Sequence, residues 1–351
     1  MVELERRQSA EEVLCHSHSP SFAEPSSGMT IRDVQKRQKP TSTPRSAEQV
    51  IKKCKTEKKP ETSFTEKIDL KEIYSTLRKR ASVIPFPQTL LLTEEEADGK
   101  CSVVDRKRVI LKVLSLRFHL KVCQETLHLA IGLLDQCLDE LLVDRQAIDD
   151  LAAVVVVIAS KVEEIQCLSF SDVISCKLVQ NESIPMIAKL ERAVLQTLSF
   201  RITFPTPFTF ATYLLAHLNA SPSRISMTHY LLELSVVDVS HRRFPSDAVA
   251  HAATCLAAGL DRCGTLFGFS VDTKTSPLKA LLDAERELSD FDGIDVAAAR
   301  TREIMCSLVD SFIKAPREKH TVFCEYSSGR HFFVAVYEID ESLQRTLKLV
   351  R

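Results

Sequence analysis

From residue 69 onward, apolar positions recur at helical spacing along most of the chain. The segment DLKEIYSTLRKR, residues 69 to 80, sets Ile73, Tyr74 and Leu77 between an aspartate suited to cap a helix and a basic last turn. This predicts a short amphipathic helix. Near Asp105 a second stripe begins, formed by Val109, Val113, Leu116 and Leu120. Leu151 to Ala159 is apolar on every side and ends in the charged run Lys161, Glu163, Glu164, as expected of a helix surrounded by other helices with a polar exit. Ile187, Leu190, Val194, Leu195 and Leu198 mark the next helix, with Pro185 suited to its first turn. Glu191 flanks this stripe instead of opposing it.

The prolines of FPTPFTF, starting at Phe204, mark a linker, and the pattern then repeats. ISMTHYLLELSVVD echoes ETLHLAIGLLD, FPSDAVAHAATCLAAG echoes the small-residue helix around Val155, and TREIMCSLVDSFIKA echoes the closing helix, at an offset of about 100 residues. Residues 1 to 65 are rich in Ser, Pro, Thr, Glu and Lys and have no amphipathic period, so a disordered regulatory region is expected there. HFFVAVY near the end alternates enough to suggest a strand, and we leave it unassigned.

Composition narrows the picture. With 44% hydrophobic and 26% charged residues the chain can bury a sizeable core, and 8 Gly favour helices over sheets that need many tight turns. A formal net charge of -1 offers no global attraction for nucleic acid, and no apolar run approaches a membrane span. The 11 Cys include no C-x-x-C pair, and Cys137, Cys255 and Cys306 fall within helical stripes, so neither disulfides nor a metal site is expected. The 10 His are dispersed, and no phosphate-cradling or nucleophile motif occurs, so neither an enzyme nor a cofactor is expected. Ser19-Pro20, Thr43-Pro44 and Ser276-Pro277-Leu278-Lys279 are candidate proline-directed phosphorylation sites at Ser19, Thr43 and Ser276.

The phrase ASKVEEI, followed thirty positions after Lys161 by LERAVLQTLSF and later by FIKAPREKHTVFCEYSS, resembles the cyclin family, and its mitotic A/B-type branch in particular. The resemblance implies an all-α fold of two tandem five-helix cyclin boxes, preceded by a short N-terminal helix and a disordered tail. The expected boundaries are 1–65 for the disordered region, 66–202 for the first box with its preceding helix, 203–316 for the second, and 317–351 for a C-terminal extension. It also implies a regulatory subunit that binds and activates a cyclin-dependent Ser/Thr protein kinase in cell-cycle control, in the nucleus and cytoplasm.

Carried onto this sequence, the family's kinase-binding positions are Lys161 and Glu191, with Val162, Glu163, Leu195 and Phe200 beside them and Ile73 and Tyr74 on the preceding helix. A family arginine on the first box helix pairs with an aspartate matching Asp135. Arg106 and Arg108 both fit the register, and Arg108 is taken as the partner. Ile110, Leu111 and Leu114 correspond to a shallow docking patch for substrate R-x-L motifs, although the family's tryptophan is missing from RKRVILKVL. Two other readings stay open: a kinase-binding scaffold without activation, and a cyclin-fold transcription factor binding DNA. Against the latter stand the near-neutral charge and the missing zinc-ribbon cysteines.

Overall fold

The computed structural model describes residues 69–83, 93, 95–141, 143–179, 183–262, 277–292 and 298–336. The expected disordered region and the candidate phosphorylation sites Ser19, Thr43 and Ser276 lie outside them. Among the described residues every regular element is a helix, and no helix is long and apolar enough to cross a membrane.

Helix α1, Leu70–Ala81, begins where the Asp69 side chain accepts a hydrogen bond from the Lys71 amide and ends in Arg78, Lys79 and Arg80, which favour the negative end of the helix dipole. It docks on the second repeat. Tyr74, expected at the kinase surface, is instead 1% exposed, wedged edge-on between Phe210 and Phe291 at ring-centroid distances of 5.2 and 5.6 Å. Arg78 Nε pairs with Asp247 at 3.0 Å, and Lys71 Nζ donates to the Asp290 carbonyl at 2.9 Å. Ile73 keeps partial exposure.

The first repeat comprises α2 (Val103–Ser115), the short α3 (Arg117–Leu120), α4 (Gln124–Glu140), α5 (Ile148–Glu163), α6 (Phe170–Ser175) and α7 (Ile184–Thr197). A reciprocal capping box between Ser102 and Asp105 starts α2, and a second one, between Ser169 and Asp172, starts α6. Helix α5 is the axis of this half: every side chain from Leu151 to Ser160 is buried, and α2, α4, α6 and α7 all pack on it. Its small β-branched and alanine side chains let four neighbours approach closely, which is why the apolar run has no polar face.

The first-helix arginine is Arg106, not Arg108. Arg106 is fully buried and holds Asp135 through two hydrogen bonds, Nε to Oδ1 at 2.7 Å and Nη2 to Oδ2 at 2.8 Å. Arg108, two positions on, points to the other side of α2 and pairs with Asp149 at 3.1 Å, joined there by Lys112 at 3.2 Å. Burial works against the Asp149 charge, but these two cations outweigh it and hold the carboxyl below its usual range, pinning the start of α5 to α2.

The proposed docking patch is also corrected. Ile110 is 0% and Leu114 3% exposed, because α13 (Thr321–Tyr326) packs over α2, where the Thr321 hydroxyl donates to the Leu111 carbonyl. Leu111 alone of the three is partly exposed.

The second repeat contains α8 (Pro207–His217), α9 (Pro222–Val237), a 3₁₀ turn at Val239–Arg243, α10 (Ser246–Arg262), α11 (Pro277–Asp292) and α12 (Ala298–Glu318). Helix α10 has the place of α5, packed against α8, α9, α11 and α12. FPTPFTF is only partly a linker, because Thr206 forms a capping box with Thr209 and Pro207 opens α8, where its missing N–H costs no hydrogen bond. The closing helix continues through Pro316 to Glu318, and the unassigned HFFVAVY contains parts of two 3₁₀ turns, at Gly329–His331 and Val334–Val336.

Two histidines make the fold sensitive to mild acid. Burial depresses His128 to about 3 and His229 to about 4, with further depression from nearby positive groups. Both are therefore neutral in the folded chain, whereas the unfolded chain takes up protons as pH falls through about 6.5. Stability is full above that value and declines from pH 6.5 downward, before most carboxylates titrate. Urea unfolding at pH 7.5 and 5.0 should show a lower midpoint at pH 5.0, and His128→Phe should reduce the difference.

Candidate functional site

The two charges singled out from sequence meet. Lys161, in the last turn of α5, places its Nζ 2.5 Å from Glu191 Oε1 on α7, thirty residues later. The two helices pack directly, so the end of one and the middle of the other share a surface. The pair is lopsided in burial: Lys161 is half-exposed, while Glu191 is largely covered. One hydrogen bond between them leaves two N–H groups of the ammonium and the second carboxylate oxygen able to bond elsewhere. Lys161 Nζ also lies 5.6 Å from the centre of the Phe170 ring, whose face favours a cation.

The chain leaves α5 by a built turn. Ser160 Oγ donates to the Val157 carbonyl at 2.8 Å and accepts from the Leu168 amide at 3.0 Å, drawing the loop back. Glu164 accepts from the Cys123 amide at 2.6 Å and the Thr126 hydroxyl at 2.7 Å, tying the end of α5 to the start of α4. Burial disfavours its charge, but these bonds outweigh that and hold the carboxyl below its usual range. Glu163 goes the other way: partial burial, then the charges of Glu125 and Glu164, push its carboxyl up. Between these anchored residues Ile165 stands fully in solvent.

At the far end of α7, Ser199 and Phe200 both adopt left-handed backbone, with φ 50 and 58. The Ser199 amide donates to the Gln196 carbonyl and the Phe200 amide to the Leu195 carbonyl, both at 2.9 Å, closing the helix and projecting a Phe200 ring that is 68% exposed. A non-glycine residue in this region costs about 1 kcal/mol, so the exposed ring is held at the expense of stability. Phe200→Gly should raise the thermal midpoint by a few degrees, read by calorimetry.

Of the sequence candidates, Lys161 and Glu191 meet where α5 packs on α7; Val162 and Glu163 follow Lys161 at the exit of α5, Leu195 lies one turn beyond Glu191 on α7, and Phe200 stands past the end of that helix. Val162 and Leu195 are half-buried. Tyr74 is in the core. Sequence reasoning passed over Ile165 and Phe170; the signal for Ile165 was a lone apolar side chain directly after a polar helix exit. The ion pair keeps spare bonding capacity, and Ile165 and Phe200 protrude just past the ends of α5 and α7, features suited to contact with another protein.

Profile comparison matches residues 72–203 to "Cyclin, N-terminal domain" and residues 205–340 to "Cyclin, C-terminal domain". The chain is 29% identical over 170 residues to the G2/mitotic-specific cyclin-A1 of Caenorhabditis elegans, a match covering 48% of this chain and 32% of that protein. It is 25% identical over 184 residues to the G2/mitotic-specific cyclin-B1 of Oryzias javanicus, covering 52% of this chain and 44% of the relative. Each match thus spans less than half of the relative's own length. Among solved structures, a viral cyclin from herpesvirus saimiri aligns with a TM-score of 0.46 at 14% identity, over 63% of this chain and 97% of that one.

Proposed function

Because the chain belongs to the cyclin family, by matched domains over residues 72–203 and 205–340, we propose that it is a regulatory subunit that binds and activates a cyclin-dependent Ser/Thr protein kinase. The observation that carries the reading is the Lys161–Glu191 pair, which keeps spare bonding capacity where α5 packs on α7. In this reading the pair's unused donors and oxygen bond the kinase segment preceding its mobile helix, and Phe200 and Ile165 cover apolar side chains next to it. Docking holds that helix inward, so its glutamate meets the strand lysine that orients the ATP phosphates, and the activation loop opens. The energy comes from the interface, and the chain itself performs no bond-making step.

The test is reconstitution. The full chain, mixed with purified cyclin-dependent kinases, should form a stoichiometric complex with at least one of them and raise its phosphorylation of histone H1. Complex formation without stimulation would favour a scaffold, and binding to random duplex DNA at low salt, with no kinase bound, would favour the transcription-factor reading. By the same family reasoning we place the chain in nucleus and cytoplasm, which imaging of a tagged full-length chain would check.

A further inference from the structure

The outer face of α2 carries an uneven set of charges. Asp105, Arg108 and Lys112 are spaced three and then four residues apart, so they share one side of the helix. Asp149, at the start of α5, takes both cations. Arg108 Nη1 and Nη2 reach its two oxygens at 3.2 and 3.1 Å, and Lys112 Nζ reaches it at 3.2 Å. Arg145, from the segment between α4 and α5, donates from Nε to Asp105 at 2.9 Å. Arg108 and Arg145 both act on Cys101, just ahead of α2, so the three cations form one patch.

Depth sorts these charges. Arg108 and Arg145 are half-exposed and Lys112 is partly exposed, whereas Asp149 is 1% and Asp105 11% exposed beneath them. Burial works against both carboxylate charges, but Ser102 and Arg145 at Asp105, and Arg108 and Lys112 at Asp149, outweigh it, so both stay ionised. Three cations therefore stand over two carboxylates, a local positive surplus in a chain whose net charge is -1. At the edge, the exposed Lys177 adjoins Leu178, whose carbonyl also takes Lys112, and the partly exposed Asp150 adjoins Asp149; these two cancel in the count. Donors remain too. A guanidinium carries five N–H groups, of which Arg108 gives two to Asp149, while Arg145 meets Asp105 through Nε.

We propose that this face docks a short acidic segment of a partner protein, whose carboxylates bond Arg108 and Arg145 from outside. As a docking site for substrates of a bound kinase it rests on the function proposed above. An R-x-L segment brings its arginine against like charge here and is disfavoured. A nucleic acid fits less well, because a duplex lays down one charge per ~1.7 Å of its axis and the two buried carboxylates leave little positive charge to meet them.

The probe is a fluorescein-labelled peptide, GEEDEEG, titrated into the full chain alone and read by anisotropy. No kinase is present, so failure here is separate from failure of the kinase reading. Saturable binding is expected at about 50 mM salt and should be about tenfold weaker at about 300 mM, as screening requires. The neutral GQQNQQG and the R-x-L peptide GARALG should each bind at least about tenfold more weakly. Arg108→Gln with Arg145→Gln should weaken the acidic peptide about tenfold. This variant should stay folded, since Asp149 keeps Lys112 and Asp105 keeps Ser102, and circular dichroism checks it. If it unfolds, Arg145→Gln alone decides, with an expected loss of about threefold. Lys79→Gln with Arg80→Gln makes the same change of charge on α1 and should bind within about twofold of the parent. The proposal is overturned by the lack of saturable binding at low salt, by equal binding of the neutral or R-x-L peptide, or by unchanged affinity in the folded arginine variant. Equal loss in the α1 variant overturns it as well, as does random duplex DNA that binds this face more tightly than the acidic peptide.

Discussion

Replacing Lys161 and Glu191 together by alanine is expected to weaken kinase binding about a hundredfold while leaving the helical circular dichroism unchanged. The two readouts separate because the pair has different weights in the two processes. Within the chain it is a single ion pair whose lysine is half-exposed, and such pairs contribute about 0 to 1 kcal/mol to stability. At a closed interface the same groups are desolvated and bonded to a partner, where truncating one side of a charge pair costs about 2 to 5 kcal/mol. Surface plasmon resonance against the kinase identified by reconstitution would measure the loss. A folded double mutant binding within threefold of the parent would remove Lys161 and Glu191 from the interface. The reversed pair, Lys161→Glu with Glu191→Lys, sharpens the result: it preserves an ion pair within the chain but presents each charge at the wrong place, so it should bind no better than the alanine variant.

What the sequence made legible follows from interaction range. The aspartate cap and basic last turn of α1, and the proline in the first turn of α7, are local and were placed from neighbouring residues alone. The Lys161–Glu191 surface was legible because two strongly periodic helices each carried one charge beside their apolar stripe. Long-range packing was not legible. Tyr74 reads as the edge of an amphipathic helix, and only the arrival of Phe210 and Phe291, more than a hundred residues later, buries it. Ile110 and Leu114 become core because α13, about two hundred residues away, covers α2. Arg106 and Arg108 differ by two positions on one helix, so they face opposite sides, and ordinary expectation puts an arginine outside. The reason Arg106 is inside lies in what meets it there: Asp135, and two carbonyls at the end of α9.

That buried arginine yields the largest expected loss of stability. Asp135→Ala should lower the unfolding free energy by about 3 to 5 kcal/mol, the cost of removing one partner from a buried pair. Asp135 accepts from Arg106 at 2.7 and 2.8 Å and lies 3.2 Å from Arg242 Nε, and both arginine side chains are almost completely covered. Arg106 also donates to the Val236 carbonyl at 3.0 Å and the Val237 carbonyl at 3.3 Å, so it fastens α2 and α4 of the first repeat to the end of α9 in the second. Without the carboxylate, the Arg106 guanidinium would stay buried against carbonyls alone, and Arg242 would keep Asp139 and the backbone carbonyl of residue 135. At roughly 2 to 4 °C per kcal/mol for a domain of this size, the thermal midpoint should fall by about 6 to 20 °C, measured by scanning calorimetry. Asp135→Asn, which retains an acceptor of the same shape, should lose less. The combined Arg106→Met, Asp135→Leu variant should recover much of the loss, since apolar replacement of both partners removes the desolvation cost along with the attraction. Arg108→Ala is the control for register: its side chain is half-exposed, and Asp149 keeps Lys112, so the expected change is within about 1 kcal/mol. If Arg108→Ala and Asp135→Ala were equally damaging, the assignment of Arg106 as the buried partner would fail.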